Sequence, residues 1–185
     1  DFTVDIYEEL LKELLTSNNK IYTVRDWIQY SPNKGLCIRH DVDRKPYNSI
    51  RIAELENNYG IKSTYYFRMK KVSFDKDVIK RINELGHEIG YHYEELSDFN
   101  GDYKTAILKF EENLKTLRKL APVNTISMHG APLSNYDNRD IWEKYDFNDY
   151  GILGEAYLSI DYSDTYYFTD TGRSWSDTSV NLRDK

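Results

Sequence analysis

The chain has 185 residues, a net charge of −6 and a single cysteine, and its aromatic content is high, with 17 Tyr, 7 Phe and 3 Trp. That length suits one domain, 1–185, burying roughly two-thirds of its unfolded surface. The acidic balance argues against nucleic acid or an anionic membrane surface as partner. No apolar run reaches the ~20 residues of a membrane helix, and one cysteine excludes an internal disulfide or a cysteine-rich zinc site.

Taken in order, residues Val4 to Ser17 carry Ile6, Leu10, Leu11, Leu14 and Leu15 at helical spacing, which predicts an amphipathic helix. The sequence predicts a short helix at Val24–Ile28. Gly35 opens an apolar run, Leu36 to Ile38, that reads as a buried strand with His40, Asp41 and Asp43 at its C-terminal end. Cys37 within it is expected to be a small buried hydrophobe. A second helix follows Lys45-Pro46 and stops at Gly60, and Ile61 to Arg68 reads as a strand. Asp75 caps a third helix, Asp77 to Leu85, closed by Gly86, before a short strand at His87–His92. Tyr103 to Leu120 is a long helix ended by Pro122, and Thr125 to Met128 is a strand running into His129-Gly130.

Beyond Ala131 the rhythm loosens. Asp140–Lys144 reads as a short helix, and Tyr150 to Ile160 and Thr165–Thr169 as strands. Val180–Arg183 resembles the start of another strand, so the natural chain is expected to continue. Strand and helix alternating four times with short connections predicts parallel βα units. The architecture is then α/β: a deformed (β/α) barrel with fewer than eight strands, or an open doubly wound sheet.

In such folds chemistry gathers at the C-terminal ends of the strands, where Asp41, Asp43, His92 and His129 fall. Asp41 and Asp43 share a face by strand alternation and His40 takes the other. Two carboxylates on one face repel unless a cation or shared proton lies between them, and imidazole with carboxylate is a usual zinc donor set. The plain alternative is an Asp-rich turn capping a helix. His40 and His87 alternate away from the candidate ligands and read as hydrogen-bonded packing residues, and Tyr65-Tyr66-Phe67 as core. Arg68 could bind a substrate carboxylate, orient Asp41, or simply face solvent. Asp170, Arg173 and Trp175 form a polar–aromatic cluster suited to lining a sugar site or to a buried ion pair under a Trp lid.

Arg39-His40-Asp41-Val42-Asp43 and Gly86-His87-Glu88-Ile89-Gly90-Tyr91-His92 resemble the first two motifs of the polysaccharide deacetylases, the NodB-homology domains of carbohydrate esterase family 4 type. The likeness is nearest to deacetylases associated with surface-polysaccharide (O-antigen) biosynthesis. It covers Leu36 to Met128 well and the remainder loosely.

The resemblance implies a metal-dependent hydrolase, usually with zinc, that removes an acetyl group from a sugar or amino sugar. Asp41 is implied as catalytic base, and Asp43 and His92 as metal ligands. Tyr91, inside the second motif, joins Arg68, Asp170, Arg173 and Trp175 as a candidate for substrate binding. A carbohydrate partner is the matching expectation; the sequence leaves the location unknown, with a cytoplasmic one expected.

Four departures qualify the likeness. Leu96 stands where the family has a second metal histidine, so His129, Glu94 or Glu95 is left to supply the third ligand. Val42 separates the two acidic residues, which are adjacent in the family. Ser127–Pro132 occupies the place of an Arg-Pro motif, and the family's late histidine has no evident match. A non-catalytic carbohydrate-binding module and a different metal hydrolase on the same scaffold are the competing readings.

Overall fold

The computed structural model describes residues 3–163 and 165–169. Among the described residues, six α-helices, α1 (Val4–Thr16), α2 (Val24–Tyr30), α3 (Tyr47–Asn58), α4 (Lys76–Glu84), α5 (Glu95–Asp98) and α6 (Tyr103–Leu117), are interspersed with seven strands. Strands β1 (Ile21–Tyr22) and β2 (Leu36–Cys37) form a small parallel pair. Strands β3 (Arg39–Val42), β4 (Thr64–Phe67), β5 (Glu88–Tyr93), β6 (Val123–Met128) and β7 (Gly154–Glu155) form a five-stranded parallel sheet in sequential order. The order never reverses, so this sheet lacks the switch point of a doubly wound fold.

The sheet is strongly curved. On flat strands spaced about 4.8 Å apart, residues of β3 and β6 would lie roughly 14 Å from one another. Here the guanidinium of Arg39 on β3 donates to Ser127 Oγ on β6 at 3.3 Å. Among the described residues the curl stops short of a closed barrel, and β3 and β7 remain the sheet's edges.

The convex face is mainly apolar. Ile89, Tyr91 and Tyr93 of β5 pack with Val78, Ile79 and Ile82 of α4 and Ile107, Phe110 and Leu114 of α6 in the main core. The caps foreseen from sequence are in place: Asp75 accepts from the amides of Asp77 and Val78, and Gly86 leaves α4 at φ +85°.

The concave face is polar at its centre and plugged at one end by α2. Buried Glu88 accepts from the Arg25 amide at 2.9 Å, in the first turn of α2, and from the hydroxyls of Thr64 and Thr125. The helix N-terminus and two hydroxyls thus satisfy a carboxylate that burial holds above its ordinary pKa. Tyr66 crosses the interior to Thr125, 3.0 Å from hydroxyl to hydroxyl, and lies directly over Gly90. A Cβ at position 90 would stand 2.2 Å from the Tyr66 ring. Gly90→Ala is therefore expected to cost about 2 kcal/mol by overpacking, read as a lowered urea midpoint at unchanged slope.

Four sequence expectations are corrected. The run Leu36–Ile38 is not the strand that ends in the polar cluster: Leu36–Cys37 pairs with Ile21–Tyr22, and the main strand is Arg39–Val42 itself. Arg39 and Asp41 tolerate a strand interior because they face the polar concavity. Cys37 is exposed rather than buried, since β2 lies outside the main sheet.

Of the strand expected over Tyr150–Ile160 only Gly154–Glu155 forms, and Thr165–Thr169 is irregular. Asp137 caps a 3-10 turn at Asn138–Glu143, where the short helix Asp140–Lys144 was expected, and Asp146 caps another at Phe147–Tyr150; they pack Trp142, Phe147 and Tyr150 onto the convex core. The short α5 after β5 begins where the acidic residues following His92 suit a helix's first turn. No helix among the described residues is long and apolar enough to cross a membrane. Val180–Arg183 lies outside the described residues.

Candidate metal centre

Three strand ends deliver the site. Asp41 and Asp43 come from β3 and the residue beyond it, His92 from β5, and His129 from the residue after β6. Register pairs His92 with Ser127, and curvature turns these ends toward one another. Asp43 Oδ1 lies 3.6 Å from His92 Nε2 and 3.5 Å from His129 Nε2. Donor atoms about 2.0–2.1 Å from a tetrahedral zinc stand roughly 3.3 Å apart, so the spacing fits a shared ion. Asp43, His92 and His129 each offer one donor atom, and the three lie within 4.8 Å of one another.

Two further observations fit a cation there. Asp43 Oδ1 is shielded from solvent yet has no hydrogen-bond partner, which is unusual for a carboxylate oxygen. The charge count also leaves Asp43 over. Arg39 pairs with Asp41 and Arg68 with Glu94, whereas the ion-pair contacts of Asp43 among the described residues are both to histidines. The site therefore carries one uncompensated negative charge facing two imidazoles.

His92 is set up to ligate. It is 3% exposed, and its Nδ1 lies 2.9 Å from the Ser127 carbonyl. That bond puts the proton on Nδ1 and presents Nε2 as a lone pair. His129 is held through its backbone. Its amide donates to Tyr93 O at 2.8 Å, and its carbonyl accepts from Asn138 at 2.8 Å. Burial, with neighbouring His92 and Arg68, lowers the His129 pKa and favours a neutral ring.

Asp41 lies just beside this group, its Oδ2 3.9 Å from His92 Nε2. Burial pushes its pKa up, but Arg39 at 3.0 Å, with His92, outweighs this and keeps the carboxyl below its usual value. The guanidinium of Arg39 is fixed by Ser127 Oγ and by the hydroxyls of Tyr157 and Tyr167, with both tyrosine rings around it. Arg39 and Ser127 were not singled out from sequence. Strand alternation was the available signal, since it puts Arg39 on the face of Asp41.

The other candidates lie elsewhere. Arg68 neither faces solvent nor reaches Asp41: it grips Glu94 with two bonds of 2.9 and 2.6 Å. Tyr91 points to the convex side, stacked on Phe110 and bonded to Glu95 and Asn113, away from the His92 face. Glu95 is committed to that same convex cluster and to the Glu94 amide, and Leu96 is fully buried.

His40 bonds Glu56, and His87 sits between Ser63 and the Ala53 carbonyl, both packing roles as expected. Tyr65, Tyr66 and Phe67 are core. Asp170, Arg173 and Trp175 lie outside the described residues.

Fold and site together define a parallel α/β protein with a candidate two-histidine, one-carboxylate metal centre at the C-terminal rim of its sheet. Set against known proteins, the chain matches no family model and no curated sequence.

Proposed function

We propose that this chain is a metal-dependent hydrolase that removes an acetyl group from an acetylated sugar or amino sugar. The observation that carries the reading is the convergence of Asp43, His92 and His129 around a shielded, unpartnered carboxylate oxygen. The motif likeness to polysaccharide deacetylases supports the substrate class. Two imidazoles and one carboxylate suit zinc. A divalent ion held there supplies Lewis acidity and a water of lowered pKa.

Asp41 is the base in this reading. Arg39 keeps it ionised and aims its carboxylate beside the ligand cluster, so it can accept a proton. His129 takes the place that Leu96 leaves unfilled.

The test is acetate release from N-acetylated and O-acetylated sugar oligomers by the purified chain. Turnover is expected to stop with a chelator and return with zinc. Acetate release that a chelator leaves untouched overturns the proposal. Sugar binding without any acetate release points instead to a non-catalytic carbohydrate-binding module. Cleavage only of other C–N or phosphoester substrates keeps the metal centre and replaces the substrate class.

A further inference from the structure

The two histidines of the candidate centre are supported in different ways. His92 hands its Nδ1 proton to a backbone carbonyl, which cannot move independently of β6. His129 follows β6, and its ring bridges two carboxylates: Nε2 faces Asp43 at 3.5 Å and Nδ1 faces Glu94 Oε2 at 3.4 Å. That Nδ1 is buried and not hydrogen-bonded, and Glu94 Oε2 at 3.4 Å is the carboxylate oxygen that a small turn of the ring would engage. Glu94 is itself held by the two-pronged grip of Arg68, a fork geometry that fixes the plane of the carboxylate. The Ser97 hydroxyl donates to the Glu94 carbonyl at 2.9 Å and holds the backbone at the entry to α5.

We infer that Glu94, clamped by Arg68, is the positioning residue for His129: it accepts the Nδ1 proton and so presents Nε2 to the metal. The inference rests on the metal-centre reading above. It gives Arg68 a role distinct from substrate binding, two steps behind the ligand His129 by way of Glu94. A carboxylate behind a ligating imidazole fixes the ring's tautomer and orientation and raises its basicity. The arrangement matters more for His129 than for His92, because the backbone bonds to Tyr93 and Asn138 fix the main chain of His129 but not its ring, whereas the His92 ring is held by the Ser127 carbonyl. It also explains why Glu94 need not be a ligand: both its oxygens are engaged by Arg68, and the imidazole stands between it and Asp43.

Zinc affinity is to be measured by competition with a chromophoric chelator for the unaltered chain and for Glu94→Leu, Glu94→Gln and Arg68→Met, with circular dichroism establishing that each is folded. Glu94→Leu is expected to bind zinc about 10- to 100-fold more weakly, with Glu94→Gln, which keeps an acceptor, falling between it and the unaltered chain. Arg68→Met is expected to weaken binding in the same direction. Long-range proton–nitrogen spectra of the zinc-loaded, ¹⁵N-histidine protein are expected to show His129 ligating through Nε2 with Nδ1 protonated. This second readout needs no variant, so misfolding of the Glu94 substitutions leaves the inference testable.

Ligation of His129 through Nδ1 overturns it, as does unchanged affinity in Glu94→Leu. Failure of the unaltered chain to bind zinc overturns the metal centre and this inference together. Tight binding in all variants overturns the inference alone.

Discussion

Asp43→Ala is expected to weaken zinc binding by more than about 100-fold, exceeding the loss from any residue behind the ligands. The reason lies in the charge count. Asp41 and Glu94 already have arginine partners, so Asp43 is the carboxylate that an incoming dication neutralises. Without it two neutral imidazoles remain, and the affinity owed to a charged donor disappears.

The folded state should scarcely register the change. The Asp43 side chain is 48% exposed, its ion-pair contacts are to histidines, and its inner oxygen has no hydrogen bond to lose. Stability of the metal-free protein is therefore expected to stay within about 0.5 kcal/mol. Calorimetric titration with zinc, paired with a urea melt in chelator, separates the two effects. Undiminished zinc affinity would place the ion somewhere other than this cluster. A large stability loss without metal would mean that Asp43 serves the fold.

How far the sequence reaches is visible in the same residues. Alternation along a strand put Asp41 and Asp43 on one face and His40 on the other, and the contacts agree. Strand-end placement of His92 and His129 was legible from apolar runs that stop at polar residues. Their meeting was not legible, because it depends on sheet curvature, a cumulative property of five strands that no local spacing encodes.

Arg39 escaped notice for a related reason. A charged residue at the first position of a short strand is locally unfavourable, and only the polar concavity of the curled sheet makes it acceptable. Tyr91 was misplaced by the opposite error. It lies in the same motif as His92, but adjacent residues of a strand serve opposite faces. After β6 the short helix expected at Asp140–Lys144 is present as an Asp-capped 3-10 turn, while the strand expected over Tyr150–Ile160 shrinks to two residues because turns capped by Asp137 and Asp146 already carry the aromatics to the core.

The largest expected effect on stability is that of Glu56→Gln, which acts on the far side of the strand that carries Asp41. Glu56 of α3 is fully buried against the convex face of β3 and β4. Its carboxylate is met by the Tyr7 hydroxyl from α1, His40 Nε2 at 2.7 Å, Ser63 Oγ at 2.5 Å and the Tyr65 hydroxyl at 2.6 Å. Burial pushes this carboxyl's pKa up, but His40 and the hydroxyl donors outweigh it and hold the value at about 2.

A folded-state pKa below the unfolded one contributes stability above the unfolded value, near 4.3, and that contribution is lost as the pH falls toward 2. It amounts to about 3 kcal/mol at neutral pH. An amide at position 56 offers one acceptor oxygen where two served, and turns its own donors toward hydroxyls and an imidazole that are oriented to donate. The loss at pH 7 is therefore expected to be about 3–5 kcal/mol, a large share of a typical domain's stability.

Burial raises the carboxyls of Glu88, Glu95 and Glu155 and gives them the opposite pH trend. The difference between the two proteins' curves cancels those terms and isolates Glu56. Urea melts from pH 7 down to 2 should show that difference shrinking between about pH 4.5 and 2; parallel curves across the window would remove Glu56 as a charged anchor. If the difference does shrink, the carboxylate that holds His40 also fixes the outer face of β3. Through alternation, it then fixes the direction in which Asp41 and Asp43 project.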